Sequence, residues 1–298
     1  MTTSPFGRVL TAMVTPMSPR GEVDDAGVDA LVEHLLATGH DGLVVNGTTG
    51  ESSTLTDDES IAVVCRVADH VAGRARVVAG CGSNDTAHAV HMAGRAVEAG
   101  ADALLLVSPY YNKPTQPGLV AHCRAVADAT DLPVMLYDIP GRTGIPFATE
   151  TLLALAEHPR ILAVKDAKGD LAASTRVMAA TDLLWFSGED ALTLPLLAIG
   201  AVGTVSVVGH VAGAQYRAMV EAVDRGDLPE ALRLHRGLVP VVDAIMSPSQ
   251  GAIMAKAALV ELGVIEHATV RLPLLESPPE HLEALRAALA TLPAPTDA

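Results

Sequence analysis

Gly39-His40-Asp41-Gly42-Leu43-Val44-Val45 and Gly100-Ala101-Asp102-Ala103-Leu104-Leu105-Leu106 are two copies of one joint, and Gly200-Ala201-Val202-Gly203-Thr204-Val205 is a third. Each sets a glycine where a helix must end, then a tight turn, then an apolar strand. A chain that repeats this joint is built from βα units. Working outward, apolar runs predict strands at 9–14, 43–46, 76–80, 103–107, 134–137, 162–165, 184–187 and 204–207. The runs are nearly continuous rather than alternating, as parallel strands buried on both faces require. Eight of them, separated by helices, predict an α/β fold of the closed (β/α)8 TIM-barrel type rather than an open doubly wound sheet.

The intervening helices carry start and stop signals. Asp24 is expected to cap a helix with the apolar face Val28, Leu31, Val32 and Leu35, ending at Gly39. Thr56 and Glu59 have capping-box spacing, and Ile61, Val64, Cys65 and Ala68 are expected to form the buried stripe behind them. A helix beginning near Asn84-Asp85 ends at Gly100, and 211–223 is expected to be the last barrel helix. Helical segments at roughly 228–245, 250–262 and 279–292 follow, with 296–298 expected to fray. The division is therefore a catalytic barrel over 1–226 and a C-terminal helical extension over 227–298.

Composition narrows the function classes. The 298 residues are 49% hydrophobic and carry a formal charge of -15, spread along the chain. Nucleic acid and anionic membranes need clustered Lys and Arg, so neither is an expected partner. Cys65, Cys81 and Cys123 are scattered and odd in number, which fits reduced thiols in a cytoplasmic protein. The N-terminus lacks a basic segment followed by a long apolar run, so no signal peptide is expected. Residues 191–215 hold no Asp, Glu, Lys or Arg, but Pro195, His210 and several glycines point to a buried helix turning into a buried strand, not a membrane span.

Barrels of this type assemble their chemistry at the C-terminal ends of the strands. Those ends read Gly47-Thr48-Thr49-Gly50-Glu51, Ser108-Pro109-Tyr110-Tyr111-Asn112, Tyr137-Asp138, Lys165-Asp166, Ser187-Gly188-Glu189-Asp190 and Ser206. Lys165 is one of only four lysines and ends the apolar run Ile161-Leu162-Ala163-Val164. Apolar walls favour the neutral amine, the form that attacks a carbonyl. The competing reading is a buried ammonium paired with Glu189 or Asp190. The 47–51 turn offers N–H groups and hydroxyls to a small carboxylate, or is an ordinary βα loop; without a Gly-Lys-Ser/Thr ending it is no P-loop. Tyr137 and Tyr111 are proton carriers or packing groups. Arg142 is a carboxylate clamp or a surface ion-pair partner. His88 and His91 share a helix face but lack a third ligand, so no metal is expected.

Four segments, taken together and in order, resemble the dihydrodipicolinate synthase / N-acetylneuraminate lyase superfamily: Gly47-Thr48-Thr49-Gly50-Glu51-Ser52, Tyr110-Tyr111-Asn112-Lys113-Pro114, Tyr137-Asp138-Ile139-Pro140-Gly141-Arg142-Thr143, and Val164-Lys165-Asp166. The likeness runs through nearly the whole chain. Gly141-Arg142-Thr143 and the paired tyrosines make it closest to the synthase branch. The resemblance implies condensation of pyruvate with L-aspartate 4-semialdehyde through an imine on Lys165, in lysine and diaminopimelate biosynthesis. It implies that Thr48 and Thr49 hold the pyruvate carboxylate and that Arg142 binds the aldehyde's carboxylate. Gly188 and Val205 then line the pyruvate pocket. Tyr137 becomes the acid/base group, linked through the Thr49 hydroxyl to Tyr111 of a neighbouring subunit. That relay implies at least a dimer, in this family usually a tetramer of two tight dimers, and no metal or organic cofactor.

Where the resemblance breaks, expectations shift. Ser52, Asn84 and Tyr110 match a lysine-binding regulatory site between subunits, but Asp57, Ser60 and His88 stand where lysine-sensitive bacterial relatives have His, His and Glu. Losing the carboxylate at position 88 removes a partner for the ligand's ammonium. Weak or absent inhibition by lysine is expected, and a turnover assay in which micromolar lysine inhibits would overturn this. Two rival functions share the residues: a pyruvate-dependent aldolase or lyase acting on a sugar acid, and a catalytically silent binding barrel.

Overall fold

The computed structural model describes residues 4–294; the segment 296–298, where fraying is expected, lies outside them. Strands and helices alternate in chain order: β1 (Val9–Ala12), α1 (Asp25–Ala37), β2 (Gly42–Val45), α2 (Asp57–Val71), β3 (Arg76–Gly80), α3 (Thr86–Glu98), β4 (Ala103–Val107) and α4 (Gln116–Asp128). The second half runs β5 (Val134–Asp138), the short α5 (Pro140–Thr143), α6 (Thr149–Ala156), β6 (Ile161–Asp166), α7 (Leu171–Ala180), β7 (Leu184–Ser187), α8 (Thr193–Ala198), β8 (Gly203–Ser206) and α9 (Gly209–Asp224). Then come α10 (Leu228–Met246), α11 (Gly251–Glu261) and α12 (Pro279–Leu289).

Each strand pairs with the next in parallel, and β8 returns to β1 through Leu10 and Val205, closing the barrel. The three joint glycines explain why this ring forms. Gly39, Gly100 and Gly200 have φ of 90°, 88° and 117°, a region that side chains rarely enter, so each reverses the chain from helix into strand. The charge-free stretch around Pro195 is α8 running into β8, as its composition suggested.

Two layers of core follow from the strand alternation. Leu10, Val44, Val78, Met135, Ala163, Phe186 and Val205 fill the barrel interior. Residues between them, such as Val45, Val77, Leu104 and Val164, face the helices. Fully burying a Val or Leu side chain contributes about 1.5–3 kcal/mol, so these layers dominate the stabilising side.

Three helix details differ from expectation. Asp24 occupies the N-cap of α1, but its side chain makes no capping hydrogen bond. In α2 the Thr56–Glu59 capping box forms, yet the buried stripe is Val63, Val64, Val67 and Val71. Ile61 and Ala68 are only half-buried and Cys65 is exposed. Both stripes have helical period, and the valine stripe buries more apolar surface than one completed by Cys65 and Ala68. The last barrel helix also starts two residues early, at Gly209.

The extension shares a core with the barrel. Val9, Val208, Tyr216 and Val220 pack in one cluster with Leu234, Leu238, Val241, Ile245, Met254 and Leu285. Among the described residues no single helix is long and apolar enough to cross a membrane; α10 and α11 together have the composition but meet at a 110° bend.

Candidate active site

Lys165 lies one residue before the end of β6, in register with Tyr137 of β5 and Phe186 of β7. Period-2 alternation turns it inward with Ala163. It is 4% exposed, and its Nζ stands 4.1 Å from the centre of the Tyr137 ring. Burial brings its pKa down to about 7, against the opposing pull of Asp190; Arg142 adds to the lowering and Glu189 opposes it. The ion-paired lysines are Lys168 and Lys256; Lys165 has no such partner among the described residues.

Asp190, one of the two acids the competing reading pairs with it, is occupied elsewhere. Its carboxylate accepts from the Tyr216 hydroxyl at 2.8 Å, the Val207 and Val208 N–H groups at 3.1 and 3.3 Å, and the Ser206 hydroxyl. Glu189 is pushed above the usual carboxylate range by burial first and then by Asp190. The buried-ion-pair reading of Lys165 therefore fails on geometry.

Gly188 makes room for the lysine. A Cβ there would meet Lys165 Cγ at 2.8 Å and Cε at 3.1 Å. Gly188→Ala is therefore expected to displace the amine and cost about 100-fold in turnover with the fold intact. Steady-state kinetics beside circular dichroism check this; wild-type turnover would mean that the lysine is not held where it must be.

Tyr137 is 7% exposed, and burial pushes its phenol up to about 12, partly offset by Arg142. It forms one wall of a cavity of about 280 Å³ with Gly47, Thr48, Arg142 and Thr143. Lys165 is not on that wall; Tyr137, whose ring lies against the amine, is. Arg142 sits on α5 with its side chain exposed. Val205 is buried in the interior cluster beside Phe186.

After β2 the chain makes a single 3-10 turn over Thr48–Gly50, with Thr49 buried and Thr48 exposed. The opening N–H groups of such a turn have no partner within it. Among the described residues nothing accepts from those of Thr48 or Thr49, which leaves them for a ligand. No hydrogen bond joins the Tyr137 and Thr49 hydroxyls in the single chain. Tyr111 does not turn into its own barrel mouth either: it is 89% exposed, at φ 74°.

Two ion pairs, of Lys168 and Lys256, were not foreseen from sequence, and His88 has a partner that the sequence did not give it. Lys168 lies 3.4 Å from Asp138 Oδ2, a buried carboxyl whose pKa burial raises to about 6 against the pull of Lys168. Its charge is thus paired with Asp138. Lys256 is fully buried on Glu51. At the outer wall of the cavity His88 Nε2 lies 3.1 Å from both Asp57 oxygens, so that carboxylate already has a partner. Among the described residues no group of three or more His, Cys, Asp or Glu side chains is placed to hold a metal.

A buried amine without an ion pair thus stands against a buried phenol inside a closed eight-stranded barrel. A family model described as the dihydrodipicolinate synthetase family matches residues 5–292. The chain belongs to that family.

Members of the dihydrodipicolinate synthetase family similar to this chain include the 4-hydroxy-tetrahydrodipicolinate synthases of Kineococcus radiotolerans and Acidothermus cellulolyticus. The first is 54% identical over 99% of this chain and 96% of that protein; the second is 56% identical over 96% and 94%. Among solved structures, DHDPS from Cyanidioschyzon merolae with lysine bound superimposes with a TM-score of 0.94 at 44% identity, covering 97% of this chain and 99% of that one. In this chain Lys165 lies against Tyr137 and Gly188, and Val205 shares the interior cluster with Tyr137. Thr48 and Arg142 open onto the adjoining cavity, and Tyr111 stands apart.

Proposed function

We propose that this chain is a 4-hydroxy-tetrahydrodipicolinate synthase, condensing pyruvate with L-aspartate 4-semialdehyde in lysine and diaminopimelate biosynthesis. The observation that carries the proposal is Lys165: a 4%-exposed amine with no ion pair, its pKa brought to about 7. The neutral amine attacks C2 of pyruvate to give a carbinolamine. Loss of water leaves a protonated imine on Lys165. The imine gives up a C3 proton to become an enamine, and that carbon attacks the aldehyde carbon of the second substrate. The new alkoxide takes a proton. The adduct's own amino group then adds to the imine carbon and expels Lys165 as the free amine. No outside electron acceptor is required, because the imine itself draws the electrons.

The remaining residues take roles consistent with their positions. The Thr48 and Thr49 N–H groups receive the pyruvate carboxylate. Tyr137, protonated at neutral pH, moves the protons, and Gly188 and Val205 shape the pyruvate pocket. Thr49 and a neighbouring subunit's Tyr111 complete the relay, so the working form is at least a dimer and, as in the family, a dimer of dimers. The exposure of Tyr111 supports this; sedimentation that finds only monomer would remove it. We assign catalysis to residues 1–226, the supporting extension to 227–298, and the enzyme to the cytoplasm. The His88–Asp57 pair supports the weak response to lysine.

The deciding assay is turnover of pyruvate with aspartate 4-semialdehyde in wild type and Arg142→Ala. A guanidinium binding a carboxylate contributes about 1.5–3 kcal/mol, so its loss should raise the aldehyde's KM by about 10- to 100-fold with little change for pyruvate. Unaltered kinetics in the variant would favour a sugar-acid substrate instead.

A further inference from the structure

The turn that offers its N–H groups to the pyruvate carboxylate is held from outside the barrel. Glu51, the residue that caps it, is 3% exposed and left-handed at φ 58°, a conformation a non-glycine residue keeps only when its surroundings impose it. One carboxylate oxygen accepts from Lys256 Nζ of α11 at 2.5 Å and the other from the Arg271 N–H at 2.8 Å. Lys256 is 0% exposed and donates again to the Thr269 carbonyl at 2.6 Å. Two further contacts reach the same loop from the extension. Gln250 Nε2 donates to the Thr48 carbonyl at 3.3 Å, and Arg271 Nη1 donates to the Thr54 carbonyl at 2.7 Å. Arg271 is itself fixed by a two-pronged pair with Glu59 at the start of α2, which holds that carboxyl down at about 2.

A fully buried ion pair is a poor source of stability. Stripping water from two charges costs about as much as their attraction returns, and apolar replacements of equal volume are often neutral. What such a pair supplies is a fixed distance and direction. Here the fixed object is the backbone of one 3-10 turn, held at its first residue and again just past its last by a segment 202 to 220 residues away. We infer that Lys256 is a positioning residue: through Glu51 it sets the orientation of the Thr48 and Thr49 N–H groups, and so the affinity of the site for pyruvate. This rests on the function proposed above.

The test uses the paired variant Glu51→Gln/Lys256→Met, which removes both charges while keeping volume, beside Gln250→Ala. The readout is the pyruvate concentration that half-saturates borohydride trapping on Lys165, together with KM for each substrate. Losing alignment of a charge-assisted hydrogen bond should raise the pyruvate value about tenfold in the paired variant and about threefold in Gln250→Ala. The KM for the aldehyde should stay within about twofold in both. Fewer folded molecules would lower apparent kcat without moving half-saturation, which separates positioning from mere destabilisation. Unchanged pyruvate half-saturation in the paired variant overturns the inference, as does an unchanged value in Gln250→Ala should the paired variant not fold. A wild type that traps no pyruvate at all overturns the function and this inference together.

Discussion

Lys165→Ala abolishes turnover, by at least about 10⁴-fold, and leaves no site at which borohydride can fix pyruvate. The magnitude follows from the chemistry, since among the described residues no other amine is both buried and unpaired. Lys168 and Lys256 are held by Asp138 and Glu51. The wild-type pH dependence has a definite direction. With its pKa lowered from 10.5 to about 7, Lys165 is about half neutral at pH 7; an ordinary lysine would be neutral in only about 3 molecules in 10⁴. Imine formation should therefore rise with pH through about 7 and then level off. A profile that climbs steadily to pH 10 would mean that burial does not tune the amine. The same shift carries a cost. The unfolded chain binds this proton up to about pH 10.5 and the folded chain only to about 7. This lysine therefore makes stability rise with pH between those values, and imposes its full penalty below them.

Tyr137→Phe lowers kcat by about 10²–10³-fold while the KM for pyruvate changes little. The substitution separates two roles one residue could have. The ring stays, so the contact 4.1 Å from Lys165 Nζ and the packing against Phe186 and Val205 remain. Only the hydroxyl is lost. Because burial holds that phenol near 12, it carries its proton at neutral pH and can donate to the developing alkoxide. Borohydride should still trap pyruvate on Lys165 in the variant, more slowly. If kcat survives within about threefold, Tyr137 is a packing group and the proton carrier lies elsewhere.

The barrel could be read from the chain because its signals are local. A glycine, a turn and a buried strand lie within about seven residues of one another, and the same trio recurs. Lys165 and Tyr137 were legible for the same reason, since each ends an apolar run whose far end opens on the mouth. The α2 stripe was misread because Ile61, Cys65 and Ala68 keep nearly the same period as Val63, Val67 and Val71; period alone cannot choose between them. Lys256 was illegible for a different reason. Its helix is buried nearly all round, so no polar face marks the position, and its partner Glu51 lies 205 residues away. The relay proposed from Tyr137 through Thr49 to Tyr111 would need a second chain, which no single sequence contains as geometry.

Asp190 has one more consequence. The reaction asks the same nitrogen for opposite things at successive moments: a lone pair when it meets the ketone, and a positive charge once water has left. Burial serves the first demand and would oppose the second. Four donors hold the Asp190 carboxylate in place without cancelling its charge, and its field favours the cationic form of Lys165. In the reaction proposed above, a carboxylate tethered near the nitrogen, yet not bonded to it, would leave the lysine free to react and would steady the resulting iminium.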